Sequence, residues 1–265
     1  MSEFKRGITK ENFIKELNSN LYFQKIIADK DLFIAIRNNY LNVYYYGQSI
    51  YKIEFVKNKL RWTTHKKYLD SHSLESGYKS TENPLLEDLE TIKQRAKVYG
   101  GKEKEQVKEQ ILSNNSLCVL DVEVTFSRET NFGRRSIDYL AVESNNGKIN
   151  YVFYEAKHFE NSEIRARKTP KVFEQMEKYE QALSDPNHKK EILNSYKTVY
   201  ENVLDLNLSN KQKLTQLIGK NIEHIDIDSE PRLIIFEVSS EEKDNIHIQK
   251  LTNQFGEKRL ILKKK

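Results

Sequence analysis

Three residues of this 265-residue chain, Asp138, Glu155 and Lys157, have the types and spacing that could do chemistry. They fall in the stretch GRRSIDYLAVESNNGKINYVFYEAKHFE, residues 133–160, which reads as two strands joined at Asn145-Asn146-Gly147. That turn composition suits a tight hairpin. Side chains alternate along a strand, so Glu155 and Lys157 share one face. Ala156 points away between them and offers its carbonyl. Asp138 lies on the preceding strand, within reach of Glu155 across the hairpin. Charges inside an apolar run are costly to bury unless something binds there. Two carboxylates, a carbonyl and waters form a hard-oxygen site that suits Mg²⁺ or Mn²⁺. A lysine beside such a site can position or help deprotonate a water, or hold a phosphate oxygen. The competing reading is a structural Asp–Lys–Glu ion cluster. It explains less well why Asp138 sits inside SIDYLAV.

The surrounding pattern predicts the elements that hold these residues. From Gly100 onward, GKEKEQVKEQIL has helical spacing. LCVLDVEVTF alternates, with Leu120, Val122, Val124 and Phe126 on one face and Asp121, Glu123 and Thr125 on the other. The hairpin follows. PKVFEQMEKYEQAL reads as a helix with Pro170 near its first turn. Two further helices are expected at KKEILNSYKTVYENVL and SNKQKLTQLIG. RLIIFEV is a continuously apolar strand of the kind buried on both faces. A last helix near 241–255 leads to a final strand, KRLILK. This order predicts an α/β unit, a sheet with helices packed against it. Ahead of it, ITKENFIKELNSN predicts a helix with Thr9 as N-cap. LFIAIRNNYLNVYYYGQSIYKIEF predicts about three antiparallel strands with turns at Asn38-Asn39 and Gly47, and KLRWTTH a fourth. Residues 71–84 read as a connection. The expected organisation is a β-rich N-terminal accessory domain, 1–95, for substrate recognition or dimerisation, and a second domain, 96–265.

Asp138 followed by Glu155-Ala156-Lys157 resembles the D…(D/E)xK pattern of the PD-(D/E)XK nuclease superfamily over roughly residues 96–240. Ile137 stands where the pattern's name has proline, a variable position. The resemblance implies a restriction-endonuclease-like mixed β-sheet flanked by helices, with a core close to that of Holliday-junction resolvases. It implies a Mg²⁺- or Mn²⁺-dependent hydrolase of phosphodiester bonds that leaves 5′-phosphate ends. In that reading Asp138, Glu155 and the Ala156 carbonyl hold the metal. Many members add a glutamate from the first helix. Glu103 shares a helical face with Val107 and Ile111 and fills that place here, with Glu105 as second choice. Members also often carry a glutamine on the helix after the ExK strand. Gln175, with Tyr179 four residues on, matches. Lys157 would orient the water, and Gln175 would place Lys157 or the scissile phosphate.

A nuclease needs cations to hold its substrate. Arg134 and Arg135 precede the Asp138 strand, and Arg165, Arg167 and Lys168 follow the ExK strand. The net charge of +5 permits a polyanion partner without demanding one. The resemblance points to DNA, with restriction or antiviral phage defence as the setting. A homodimer, an RNA-directed nuclease, and a catalytically inactive nuclease fold that binds nucleic acid or protein remain alternatives. Tyr40, Tyr44, Tyr45, Tyr46, Tyr51 and the pair Arg61-Trp62 could stack bases, although tyrosine is also a good strand former. Cys118, the single cysteine, reads as core packing. His158 faces away from Lys157 and reads as packing or hydrogen bonding. No apolar run approaches the ~18 residues of a membrane span, and the N-terminus lacks an apolar secretory core, so no membrane partner and a cytoplasmic location are expected. No P-loop, GxGxxG or Ser/His/Asp motif is present.

Overall fold

The computed structural model describes residues 4–69, 77–82, 84, 88–113, 117–126, 136–166, 168–219 and 221–264. Over these the chain is a mixed α/β protein with two multi-strand sheets. It divides into two compact units. The first comprises residues 5–116 and 194–216, the second residues 1–4, 117–193 and 217–265.

The first unit opens with helices α1 (Glu11–Ser19) and α2 (Leu21–Ala28). Strands β1 (Phe33–Arg37), β2 (Tyr40–Tyr45), β3 (Gln48–Val56), β4 (Lys59–His65) and β5 (Tyr78–Thr81) then form an antiparallel meander in sequence order. Its hairpins are set by two-residue turns in which both residues take positive φ, at Tyr46-Gly47 and Lys57-Asn58. That twist matches the twist of the paired strands. Phe13, Leu17, Phe23 and Ile26 of the helices and Leu41, Val43, Ile53 and Trp62 of the sheet are all buried. The Tyr22 and Tyr51 hydroxyls share a hydrogen bond of 2.8 Å, and Trp62 packs edge-on to both rings. Thr9 does not cap α1; Lys10 stands at that position, and the Thr9 N–H and hydroxyl instead donate to Asn39 Oδ1. Asn20 caps α2 by accepting from the Phe23 N–H.

The division into units differs from the boundary expected at 95/96 in two respects. Helix α3 (Asp88–Val98) is followed by α4 (Lys102–Ser113), and α4 belongs to the first unit. Lys108 explains this: it lies over the Tyr46 ring at 3.9 Å and pairs with Asp31 at 3.3 Å. Residues 194–216 also join this unit. Asn202 accepts from the Ile8 N–H at 2.6 Å and donates to the Ile8 carbonyl at 3.1 Å. Gly7 makes that approach feasible. Its φ is +108, and a Cβ there would meet Thr198 at 2.5 Å.

The second unit begins with β6 (Cys118–Thr125), β7 (Ser136–Asn145) and β8 (Lys148–His158), an antiparallel run. Asn146 and Gly147 turn the second hairpin with both φ positive. Helices α5 (Lys171–Ser184), α6 (Pro186–Asp205) and α7 (Lys211–Ile218) follow; the division falls within α6 and again within α7. The two-residue β9 (Asp226–Ile227) pairs with the start of β8. Strand β10 (Arg232–Val238), helix α8 (Ile246–Arg259) and β11 (Leu260–Lys264) complete the chain's elements. The sheet order is β11-β10-β8-β7-β6, with β10 parallel to both its neighbours. Leu233, Ile234, Ile235, Phe236 and Val238 are all buried, as a continuously apolar central strand requires.

Candidate active site on the mixed sheet

Register brings the expected carboxylates together. Tyr139 pairs with Tyr154 across the β7–β8 hairpin. The next antiparallel position sets Asp138 opposite Glu155. On the far side, Glu155 pairs with Leu233 of β10 and Lys157 with Ile235. Directly opposite residues of an antiparallel pair face the same way, so Asp138, Glu155 and Lys157 lie on one face.

Asp138 is fixed by the backbone of its neighbour. Its Oδ2 accepts the Ala156 N–H at 2.7 Å. Glu155 is 2 % exposed and Lys157 7 %, an unusual depth for two charges. Lys157 Nζ donates to Glu155 Oε1 at 2.6 Å and pairs with Glu163 at 3.1 Å. Helix α5 closes over this face with Val172, Gln175, Met176 and Tyr179 buried. Gln175 Nε2 donates to Glu155 Oε1 at 2.7 Å and to the Tyr179 hydroxyl at 2.9 Å. Tyr179 in turn donates to the Ser136 carbonyl at 2.9 Å. This relay ties α5 to the first residue of β7, two residues before Asp138.

The electrostatics are uneven. Burial pushes the Asp138 carboxyl well above the usual carboxylate range, and the Glu155 charge pushes it further. The Ala156 N–H draws it down, Glu123 raises it again and Lys157 lowers it; the raising influences win. Two acids at close range cannot both ionise cheaply. A divalent cation relieves that conflict, and two carboxylates plus waters are what Mg²⁺ ordinarily takes from a protein. The donor set therefore fits such an ion. Among the described residues, no group of three or more His, Cys, Asp or Glu side chains is arranged to hold a metal, so the fit rests on the Asp138–Glu155 pair.

The opposite face of the same hairpin is built differently. Tyr139 stacks on Tyr154 with centroids 4.7 Å apart. Arg232 donates to Glu143 at 2.7 Å and to the Tyr154 hydroxyl at 2.9 Å, and Tyr154 also donates to Glu143. Here the Glu143 carboxylate meets a cation. His158 bonds Glu237 through Nε2 at 2.9 Å and accepts the Glu160 N–H through Nδ1.

The remaining expected residues are distributed as follows. Glu103 and Glu105 lie in the first turn of α4, in the first unit, both partly buried. Arg165 pairs with Glu160 and covers the Phe159 ring at 5.4 Å. Lys168 is exposed. Arg134, Arg135 and Arg167 lie outside the described residues. Of the aromatic residues read either as strand formers or as base-stacking groups, Tyr51 and Trp62 are core, as the structural reading has it.

Two acids beside the site were not anticipated. Val122 pairs with Tyr139 and Val124 with Ile137, which sets Glu123 across from Asp138. Glu123 takes φ +50, left-handed backbone that a non-glycine residue adopts at a cost. The strand alternation already placed Glu123 on a polar face; counting register across both hairpins would have aligned it with Asp138. Glu163 carries no such signal, because it reaches Lys157 from the loop ahead of α5.

Comparison of the chain with protein-family models, with curated proteins and with solved structures finds no match.

Proposed function

We propose that the chain is a divalent-cation-dependent nuclease of restriction-endonuclease-like fold that hydrolyses phosphodiester bonds of DNA, in restriction or phage defence. The observation that carries this reading is Asp138 set against Glu155 on adjacent strands, with Lys157 two residues on, on a face closed by α5. The element order supports it: three antiparallel strands, helices α5 to α7, and a parallel strand, β10, beside the ExK strand. The defence setting follows only from the resemblance of the motif.

Asp138 and Glu155 would hold the Mg²⁺ or Mn²⁺. When bound, such an ion offsets charge on the phosphate and lowers the pKa of a water. Lys157 presents an ammonium that can orient the attacking water and offset negative charge growing on the phosphate. Gln175 fixes the Glu155 carboxylate, and Tyr179 fixes Gln175. Both are positioning residues. The water's oxygen forms the new bond to phosphorus, the bridging P–O bond breaks, and the departing oxygen takes a proton.

A second reading has one observation in its favour. Glu155 Oε1 already receives Lys157 and Gln175, as a purely structural ion cluster would require. In that case the chain is a non-catalytic binding module. Incubation with linear, circular and single-stranded DNA and with RNA, in Mg²⁺, Mn²⁺ or EDTA, separates the two. We expect DNA cleavage that needs the metal and falls at least ~10³-fold in Asp138→Asn, the scale of losing a main electrostatic group. Cleavage that persists in EDTA or in Asp138→Asn overturns the site. Band shifts without cutting establish the binding module.

A further inference from the structure

We infer that one end of the first unit is a docking surface for single-stranded DNA, built from Tyr78, Tyr99, Lys67 and Lys97. A string of rings runs across it. Tyr78 meets His65 at 5.0 Å between centroids, His65 meets Tyr68 at 6.1 Å, and Tyr68 meets Tyr99 at 5.9 Å. The middle of the string is anchored. Tyr68 is buried, and its hydroxyl donates to Gln48 Oε1 at 3.0 Å. Arg95 of α3 donates to the carbonyls of Tyr68 and Leu69, locking the turn that carries Lys66 and Lys67 onto the helix. The ends of the string are open. Tyr78 is 71 % exposed, Tyr99 50 % and its neighbour Val98 81 %. The site is therefore rigid beneath and bare above.

Several cations of the first unit are paired with acids: Lys52 and Arg61 with Glu54, Lys59 with Glu82, Lys93 with Asp29, and Lys108 with Asp31. Among the described residues, Lys67 and Lys97 pair with no carboxylate. Lys67 instead lies over Tyr99 at 4.3 Å and Tyr68 at 4.8 Å, and Lys97 over Tyr46 at 5.2 Å. Cations beside partly exposed rings match a strand that offers phosphates and unpaired base faces together. A duplex keeps its base faces stacked inside and would leave the tyrosines unused. The nearby Ser80 and Thr63 hydroxyls bond each other at 2.8 Å, and the Gln48 oxygen is taken by Tyr68.

The choice of DNA rests on the proposed function; the surface itself does not. The test therefore reads binding with cleavage blocked. Fluorescence anisotropy of the full chain in EDTA uses a labelled oligo-dT of about 15 nucleotides. We expect Tyr78→Ala and Tyr99→Ala each to weaken binding at least about fivefold, the low end of one lost stack. Tyr78→Phe and Tyr99→Phe should retain affinity, because stacking needs the ring and not the hydroxyl. Lys67→Ala and Lys97→Ala should each flatten the salt dependence by about 0.7 in log–log slope. Wild-type affinity in both alanine variants overturns the surface. A duplex that competes as well as the single strand overturns stacking as its basis. Oligo-rU bound more than ~10-fold tighter than oligo-dT, judged against 2′-hydroxyl readout, overturns DNA. A chain that binds here and never cuts upholds this surface and sinks the nuclease reading.

Discussion

On the first sheet Glu54 receives Lys52 and Arg61, both at 2.8 Å. On the second, Asp138 faces Glu155. Burial alone would raise the Glu54 carboxyl, but the hydrogen bonds of its two cations win and hold it below the usual range. The same holds for Asp31 beside Lys108 and Lys93. At Asp138 burial and the neighbouring acid act in the same direction, and the single backbone N–H with the distant pull of Lys157 does not overcome them. One region sets cations against Glu54 and Asp31. The other lets two acids compete, with one buried lysine between Glu155 and Glu163. Strain of that sort persists where a ligand resolves it.

Removing the cations should separate the regions most sharply. Lys157→Ala leaves Glu155 buried without its ammonium, and loss of one partner of a buried pair costs about 3–5 kcal/mol. Arg61→Ala acts on a partly exposed pair whose acid retains Lys52, and should cost less than ~1 kcal/mol. Urea denaturation of both variants in EDTA measures the difference. Equal losses would mean that depth does not distinguish the two sites.

A smaller effect comes from the repulsion itself. Asp138→Asn keeps an acceptor for the Ala156 N–H and removes one charge. At neutral pH, without metal, the variant should melt higher than wild type, by about 2–4 °C per kcal/mol of repulsion removed. The sign follows from linkage. A raised carboxyl carries its penalty above its folded pKa and sheds it as pH falls through that value. Asp31 and Glu54 behave oppositely: their stabilisation is present above the ordinary carboxylate range and is lost as pH falls through their lowered values. The melting advantage of Asp138→Asn should therefore shrink on acidification, while both proteins lose the Asp31 and Glu54 contributions alike. Scanning calorimetry from neutral to acid pH checks this. A constant or growing advantage would place the repulsion elsewhere.

The hairpin was legible because its information is local. Asn146-Gly147 fixes the turn, the turn fixes the register, and a period of two fixes which side chains share a face. Gln175 and Tyr179 were legible for the same reason, four apart on a helix. What depended on distant contacts was not. The placement of α4 with the first sheet needed Lys108 to find Asp31 and Tyr46, and no local pattern contains that pairing. Thr9 looked like a cap until Asn39 competed for it. Tyr51 and Trp62 could be read either as strand formers or as stacking residues, because composition does not show which face of a strand is covered. Glu123 needed both a register across two strand pairs and a backbone kink that a non-glycine residue seldom adopts.

The participation of residues 194–216 in the first unit has a consequence for how the chain comes off the ribosome. Ile8 is made before Asn202, yet the amide that satisfies both its N–H and its carbonyl belongs to Asn202. Until that helix has been made, the Ile8 segment must wait, solvated. A cut between the apparent halves would strand it permanently, so expressing residues 1–95 or 1–116 alone should give an unfinished piece. Supplying the 194–216 segment separately should complete it.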